Sequence, residues 1–383
     1  MNKTIIIADN HLGKFWKSNN SNFNKGRKLI NNFIDNMNDI ISKYRGAALI
    51  FAGDIFDSVH ANTEMLVYIK QKLNTVFNNN NFNNIYAIAR NHETFIDKDG
   101  HQQTLLTIGL DSNVKVYIDD ISHEIINNVN YVFIPFQNNL EELIKNSLKD
   151  HLNKELNNIL ILHMTPKEIF SYSKYSIKEM IDMIDDEYKI PYILLGHYHL
   201  PCETSYKNTK IISIGNSYYL DITDLKNRKN SKRYVVLDND DISLSYEKYN
   251  KLPEVVEYDI ESQSYFDSNI INEINDKYDT DIIIYLKSKV LIDYSALIFS
   301  GYDVYFELTE NTDDNLITLH ETLSNSFNSN SDKKSLNDRW DKYLDTLNIS
   351  DKEKELCSFL FEKRNDSDLK INDIFQILSE EVI

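Results

Sequence analysis

Five short clusters in the first two hundred residues carry side chains that bind divalent cations. Each cluster follows an apolar, strand-like segment. Together they offer acids, histidines and an asparagine: Asp9-Asn10-His11, Gly53-Asp54-Ile55-Phe56-Asp57, Asn91-His92-Glu93, His163, and Gly196-His197-Tyr198-His199. Such a mixed oxygen and nitrogen set suits manganese, iron or zinc better than magnesium or calcium, which prefer oxygen ligands alone. The clusters therefore predict a centre for two divalent cations.

The residue types also indicate individual roles. Asp9 and His11 alternate at a strand end, so we expect both side chains to leave the same face. Asp54 follows a glycine that allows a sharp turn, and its two carboxylate oxygens could bridge two cations. Cations that share a carboxylate activate water for in-line attack on phosphorus. His92 is predicted to protonate the leaving oxygen, and Asp57 to orient His92 through its other ring nitrogen.

Each cluster taken singly has a plainer interpretation. Asp9-Asn10-His11 resembles a turn after a strand, Asn91-His92-Glu93 resembles a helix N-cap, and His163 resembles a polar strand end. Their joint occurrence, in this order, is what favours a metal centre. Five histidines lack such settings and are interpreted as ordinary surface or core residues: His60, His101, His123, His151 and His320.

The elements that must position these side chains follow from the apolar pattern. Short runs rich in Ile, Leu and Val predict buried strands at residues 4–8, 47–52, 85–89, 131–135, 158–163 and 191–195. Amphipathic segments between them predict helices at residues 27–43, 63–77, 140–156 and 176–188. Alternating strands and helices indicate an α/β fold, here a two-sheet sandwich flanked by helices. Ligands bind such sheets at the carboxyl ends of the strands, where all five clusters fall.

The pattern changes after His199. Residues 210–214, 232–237 and 242–249 alternate like antiparallel strands and are predicted to complete the second sheet. Leu252-Pro253-Glu254 resembles a boundary, so the first domain is predicted to span residues 1–251. A small α+β capping domain is predicted for residues 252–312, with strands at 255–259, 281–285 and 303–308 and a helix near 269–277. Residues 313–383 are predicted to form a linker and a helical segment, with helices at 336–364 and 371–382.

Composition restricts the class of protein. The chain has 383 residues and a formal net charge of −18. That acidity argues against tight, autonomous DNA binding, although not against phosphodiester chemistry. Cys202 and Cys357 form no disulfide framework or zinc pattern, which fits a reducing cytoplasm. We see no signal peptide and no apolar stretch of membrane-spanning length, and we therefore expect a cytoplasmic protein.

The five clusters resemble the motifs of the calcineurin-like metallophosphoesterases, namely Asp-x-His, Gly-Asp-x-x-Asp, Gly-Asn-His-Asp/Glu, a lone His and Gly-His-x-His. Within that family the chain resembles SbcD-type repair nucleases and their counterparts in tailed bacteriophages. Three features carry this likeness: the opening Ala8-Asp9-Asn10-His11-Leu12-Gly13, the Gly53–Asp57 motif followed by a helix, and the small cap. The resemblance implies one manganese ion held by Asp9, His11, Asp54 and His199, and a second held by Asp54, Asn91, His163 and His197. It also implies that His92 is the catalytic histidine.

The resemblance further implies a biological setting. SbcD-type proteins are manganese-dependent exonucleases on duplex DNA and endonucleases on single strands, and they act in recombination and repair. It implies a homodimer built near the first helices, and an SbcC-type ABC ATPase partner with a long coiled coil. That partner would bind the helices from Leu336 onward. An alternative for the last of these segments, Leu369–Val382, is a helix packed on its own domain.

Two residues depart from the family pattern. Arg90 stands where the family has glycine before Asn-His, and Glu93 stands where nucleases more often have aspartate. Two other functions therefore stay open. One is a metal-dependent protein or small-molecule phosphatase, although Asp57 is not followed by the Arg-Gly typical of protein phosphatases. The other is an inactive scaffold of the same fold, against which the full ligand set argues.

Overall fold

The computed structural model of the chain describes residues 2–14, 19–57, 63–77, 82, 84–89, 94–96, 102–104, 114–136, 140–171, 173–229, 232–290 and 292–309. Met1–Leu308 form one compact unit, and Thr309–Ile383 belong to a second, of which only residue 309 is described. All helices and strands of the described residues belong to the first unit. The predicted helices at 336–364 and 371–382 lie outside the described residues. No helix in the described ranges is long and apolar enough to cross a membrane.

The first large sheet has the strand order β14-β13-β1-β2-β3-β6. Its strands are β1 (Lys3–Ile7), β2 (Ala48–Phe51), β3 (Asn84–Ile88), β6 (Val114–Tyr117), β13 (Arg233–Asp238) and β14 (Ser243–Lys248). β1, β2, β3 and β6 run parallel. β13 pairs antiparallel with β1, and β14 pairs antiparallel with β13.

The second large sheet has the order β11-β12-β10-β9-β8-β7. Its strands are β7 (Ser122–Ile126), β8 (Val129–Ile134), β9 (Asn157–His163), β10 (Lys189–Gly196), β11 (Cys202–Tyr206) and β12 (Thr209–Ser213). β8, β9, β10 and β12 run parallel, whereas β7 and β11 are antiparallel edge strands. A separate pair, β4 (Thr94–Ile96) and β5 (Gln102–Thr104), lies outside both sheets.

Helices cover the outer faces of the two sheets. α1 (Asn19–Lys43) and α2 (Thr63–Phe77) pack on the first sheet, and α3 (Leu140–His151) and α4 (Ile177–Asp182) pack on the second. The core between the sheets consists of strand residues such as Ile6, Ile50 and Ile161, all fully buried. Parallel strands covered on both faces need apolar side chains on both, which explains the continuous Ile and Leu runs. The predicted two-sheet α/β sandwich is confirmed.

The six strands predicted between residues 4 and 195 are confirmed, with every end within two residues of the observed one. The helices agree less well: α1 begins eight residues before the predicted start, and α3 and α4 end before residues 156 and 188. The prediction that residues 210–214, 232–237 and 242–249 all complete the second sheet is wrong. β12 joins that sheet, parallel to β10, whereas β13 and β14 extend the first sheet beside β1. The alternation of apolar and polar residues predicts a strand, but the strand with which it pairs depends on which sheet edge is open.

A three-stranded parallel sheet follows the sandwich. It comprises β15 (Val255–Ile260), β16 (Ile283–Ser288) and β17 (Asp303–Leu308). Its short helices are α6 (Gln263–Tyr265), a π-helical turn (Phe266–Ile270), α7 (Ile271–Lys277) and α8 (Ser295–Phe299), whereas α5 (Ile222–Lys226) precedes β13. These elements enclose their own apolar core. The α+β elements predicted here are present, and the domain boundaries at 251 and 312 stay a prediction.

Candidate metal centre

Six of the seven predicted metal ligands meet where β1, β2, β9 and β10 end. They form two groups, each with one ligand atom per residue within 4.8 Å of the others. The first group is Asp9, His11 and His199, and the second group is Asp54, His163 and His197. This division matches the two predicted cation sites. Asn91, the seventh ligand, lies outside the described residues, as do His92 and Arg90.

The backbone that carries these ligands adopts an unusual conformation. Asp9, His11, Asp54 and His197 have positive φ angles of 51°, 47°, 50° and 87°. Non-glycine residues rarely adopt this region, and such strain concentrates at functional sites. The prediction that Asp9 and His11 leave one face of a strand is wrong, because β1 ends at Ile7. A turn, rather than strand alternation, brings the two side chains together.

Two loops after β1 and β2 run side by side and hold the carboxylates. The amides of Asp9 and His11 donate to the carbonyls of Gly53 and Asp54, at 3.1 and 3.0 Å. The Leu12 amide donates to Ile55 O at 2.7 Å. These bonds hold the two loops side by side beyond the regular pairing of β1 with β2. They therefore fix the separation of the first and second ligand groups.

Two glycines make room for the His163 ring. A Cβ atom on Gly53 would lie 2.1 Å from His163 Nδ1, and one on Gly196 would lie 2.7 Å from the same atom. Gly53 also has a φ of 92°, which favours glycine. The sequence prediction explained Gly53 by the turn alone. The structure adds a second reason, which is the close approach of an imidazole.

The Asp54 carboxylate reaches both ligand groups. Its Oδ2 atom lies 3.6 Å from His11 Nε2 and 3.2 Å from His163 Nε2. Across the first group, His11 Nε2 and His199 Nε2 are 3.1 Å apart. Asp9 accepts from the His197 amide through both oxygens, at 2.9 and 3.0 Å. The two groups thus share one compact, largely buried pocket.

Comparison with known proteins decides the family. Residues 3–201 match the sequence profile of the calcineurin-like phosphoesterases, which is more than half of the chain. The chain belongs to the calcineurin-like phosphoesterase family. No curated protein sequence matches this phosphoesterase significantly.

Among solved structures, the phosphoesterase is similar to phosphopantetheinyl hydrolase from Mycobacterium tuberculosis, with 12% identity, 56% of this chain and 88% of that chain covered, and a TM-score of 0.33. A novel archaeal phosphodiesterase shows 13% identity, with 64% and 99% covered and a TM-score of 0.30. A putative 5'-nucleotidase from Staphylococcus aureus shows 15% identity, with 64% and 52% covered and a TM-score of 0.37.

The ring nitrogens of this phosphoesterase pocket test whether divalent cations fit. His163 Nδ1 lies 2.8 Å from Ala52 O, so Nδ1 carries the proton and Nε2 carries the lone pair in the neutral ring. His163 Nε2 and Asp54 Oδ2 therefore face each other as two acceptors. A bound divalent cation held by these two atoms would turn this repulsive contact into a favourable one. Metal-binding histidines commonly donate their other N–H to a carbonyl or carboxylate.

His11 follows the same arrangement. Its Nδ1 atom lies 3.2 Å from Asp57 Oδ1, and because a carboxylate only accepts, Nε2 again carries the lone pair. Asp57 was predicted to orient His92, which lies outside the described residues, so that prediction is not tested. Among the described residues, Asp57 contacts His11. The residues fit a pair of divalent cations, which would supply positive charge for polarising a phosphoryl group and activating water.

Electrostatics in the pocket also favour cations. Burial raises the pKa of the Asp9 carboxyl above its usual range, an effect that His163 opposes and Asp54 reinforces. Burial lowers the pKa of His199, which favours the neutral imidazole, although Asp9 acts in the opposite direction. Neutral imidazole is the form that binds metal. Divalent cations would neutralise the charge of the buried carboxylates, and the histidines would stay in the neutral form that binds metal.

A further group consists of His199, Asp221 and Asp224, and each offers one ligand atom within 4.8 Å of the others. The Asp224 carboxylate is nevertheless engaged by protein donors: Lys232 Nζ at 2.5 Å, Asn216 Nδ2 at 2.8 Å and Leu220 N at 2.9 Å. We therefore interpret Asp224 as part of an ion network and not as a metal ligand. The sequence predictions missed these residues. Asp221-x-x-Asp224 signals only the N-cap of α5, where Asp221 accepts from the Asp224 amide.

Proposed function

We propose that this phosphoesterase is a manganese-dependent DNA nuclease subunit. The observation that carries the proposal is the shared Asp54 carboxylate, whose Oδ2 atom lies within 3.6 Å of an imidazole nitrogen of each ligand group. A carboxylate so placed suits a pair of cations acting on one phosphodiester. The mixed oxygen and nitrogen ligands favour manganese over magnesium.

Three features support DNA as the substrate. The motif from Ala8 to Gly13 resembles that of SbcD-type nucleases, helix α2 follows the Gly53–Asp57 motif, and the β15–β17 sheet follows the sandwich as a small cap. We propose exonuclease activity on duplex DNA and endonuclease activity on single strands. The role of His92 as proton donor to the leaving oxygen belongs to this proposal.

The proposed setting is a homodimer bound to an SbcC-type ABC ATPase. The terminal segment, residues 313–383, would bind the ATPase, and it lies outside the described residues. The test is deletion of the residues after Arg364. We expect the truncated chain to retain nuclease turnover and to lose co-purification with the ATPase. Undiminished co-purification would remove this segment from the proposal.

A small-molecule phosphoester is the second candidate substrate. The net charge of −18 favours it, because a DNA backbone is repelled by an acidic surface. Local cations would offset this repulsion only near the pocket. A small phosphoester needs no extended basic surface, so the acidity does not count against it.

One assay separates the two candidates. The protein is loaded with Mn²⁺ and offered linear duplex DNA, circular single-stranded DNA and a chromogenic phosphomonoester at equal phosphorus concentration. We expect turnover of DNA and little of the monoester. His92→Ala should lose turnover and keep its bound manganese, whereas His123→Ala, a surface histidine, should behave like the parent. Turnover of the monoester alone would replace the nuclease with a phosphatase.

A further inference from the structure

A buried ion network lies behind the first ligand group. Lys232, Asp224 and Asn216, which we call the Lys232 network, are each at most 2% exposed. Lys232 Nζ lies 2.5 Å from Asp224 Oδ1 and also donates to Asn216 Oδ1. Burial lowers the pKa of Lys232, and Asp224 opposes that shift. The Lys232–Asp224 contact is a buried ion pair by its distance, and desolvation cancels much of the attraction of such a pair.

The network is closed by hydrogen bonds. Asn216 accepts from Lys232 and donates to Asp224 Oδ2 at 2.8 Å, so its amide links the two charges. The Leu220 amide donates to the same oxygen at 2.9 Å. The position of Asn216 is therefore set from two sides. Because an ion pair of this kind contributes little net stability, its geometry matters more than its energy.

The backbone around Asn216 supports the ligand loops. The backbone N–H of Asn216 donates to His199 O at 3.1 Å, and Ser213 Oγ donates to Tyr198 O at 2.9 Å. On the other side, Asn10 Nδ2 donates to Ser217 Oγ at 2.9 Å. The segment 213–217, which we call the support loop, thus contacts both loops that carry Asp9, His11 and His199.

The second ligand group is supported differently. His163 sits at the end of β9, between the Gly53 and Gly196 backbones, and donates to Ala52 O at 2.8 Å. Regular strands therefore position it. The hydrogen bonds described for the Lys232 network lead to the loops of every residue in the first group, but within the second group they reach only the loop of His197. A defect in the network should consequently affect the two cation sites unequally.

We propose that Lys232 is a positioning residue for the first ligand group. Through Asn216 and Asp224 it holds the support loop against His199 and the Asp9–His11 loop. Its ammonium also neutralises Asp224, a carboxylate within 4.8 Å of a His199 ring nitrogen, so that this histidine keeps its place beside Asp9 and His11. This inference rests on the metal pair of the proposed function.

The test removes the ammonium and measures each cation site separately. Lys232→Met is combined with His163→Ala, which leaves only the first site, and with His11→Ala, which leaves only the second. Mn²⁺ binding is followed by electron paramagnetic resonance of the free ion, and folding by thermal denaturation. Lys149→Met is the matched control, because it breaks a Lys–Asp pair of 3.0 Å on the exposed surface.

We expect Lys232→Met to weaken Mn²⁺ binding at the first site by roughly 10–100-fold, the usual cost of losing support behind a metal ligand. Binding at the second site should weaken much less, because His163 keeps its supporting contact with Ala52 O. Lys149→Met should change neither. Turnover of the Lys232→Met single variant should fall through kcat, with KM retained. The positioning role would be overturned if Lys232→Met left the Mn²⁺ affinity of both sites unchanged, or lowered it by the same factor at both.

Asn216→Ala covers the case in which Lys232→Met does not fold. It keeps the Lys232–Asp224 pair and removes only the amide that links the pair to the support loop. The same selective weakening of the first site is expected, and its absence would overturn the proposal. A parent protein that binds fewer than two Mn²⁺ ions would instead refute the metal pair itself. The two failures are therefore distinguishable.

Discussion

Two histidine pairs in this phosphoesterase share nearly the same geometry. In the pocket, His11 and His199 place their Nε2 atoms 3.1 Å apart, with ring centroids 4.9 Å apart and planes at 69°. On the surface, His123 and His151 place their Nδ1 atoms 3.1 Å apart, with centroids 5.4 Å apart and planes at 64°. Distance and ring orientation alone do not separate the two pairs.

The surroundings separate them. Two almost fully buried carboxylates, Asp9 and Asp54, accompany the pocket pair. In the part of the chain that the structure describes, no third His, Cys, Asp or Glu completes such a group with His123 and His151. Water can solvate the exposed His123, whereas buried carboxylates need a cation. Buried carboxylates, and not neighbouring imidazoles alone, therefore distinguish the candidate metal centre from the surface pair.

Removal of the shared carboxylate should have the largest effect. Asp54→Asn keeps the shape and removes the charge that lies beside both His11 and His163. We expect both Mn²⁺ sites to weaken and turnover to fall by more than about a hundredfold, because even partners behind a ligand cost roughly 10–100-fold. Metal content after dialysis measures the outcome. Asp9→Asn should be milder, and retention of two ions by Asp54→Asn would refute the bridge.

The two pairs can be compared directly by replacing one histidine of each pair with alanine. His11→Ala should remove one of two bound Mn²⁺ ions, since the first group then keeps only Asp9 and His199 near Asp54. His123→Ala should leave the stoichiometry at two. Isothermal titration with Mn²⁺ provides the readout for both variants. If His123→Ala lowers the stoichiometry, the surface pair is also a metal site and buried charge is not the criterion.

A smaller effect is expected from changing Asp57, which contacts His11 of the pocket pair. Asp57→Asn can still contact His11 Nδ1 but no longer fixes which nitrogen carries the proton. We expect Mn²⁺ binding at the first site to weaken by about tenfold, with the second site retained. Titration in the His163→Ala background isolates that first site. An unchanged affinity there would show that Asp57 has no part in orienting His11.

The smallest effect is expected for the surface pair, and it is a change in the pKa of His151. Burial, with a further contribution from His123, lowers the pKa of His151 below its ordinary value. A lowered folded-state pKa means that stability is full above about pH 6.5 and falls as the pH drops below it. His123→Ala removes one cause, so the pKa of His151 should rise but stay below its ordinary value. Titration of the His151 ring by NMR measures this, and a fall would contradict it.

The strands and their ends were predictable because they depend on local pattern. Runs such as Ile5–Ile7 or Ile159–Leu162 have no polar residue to face water, so they must be buried between layers. The carboxyl ends of parallel strands then meet at one edge of each sheet. For that reason six candidate ligands, separated by up to 190 positions, could be predicted to meet, and the structure brings them together in two neighbouring groups.

Contacts that depend on a sheet edge or on loop conformation were not predictable in this way. β13 pairs with β1 because the edge of the first sheet is open there, which alternation within residues 232–237 does not encode. The left-handed turns at Asp9 and Asp54, and the contact of Asp57 with His11, result from two loops held side by side. The Lys232 network joins residues whose spacing carries no recognised motif.

The sequence by itself determined the α/β sandwich, the strand ends and the chemical class of the candidate ligands, because apolar periodicity and residue type act locally. Only the tertiary structure decided which nitrogen of each histidine faces the pocket, which carboxylate lies between the groups and which charges are neutralised internally. Those outcomes depend on distances of about 3 Å between segments far apart in the chain, where one hydrogen bond fixes a ring and one buried charge requires a partner.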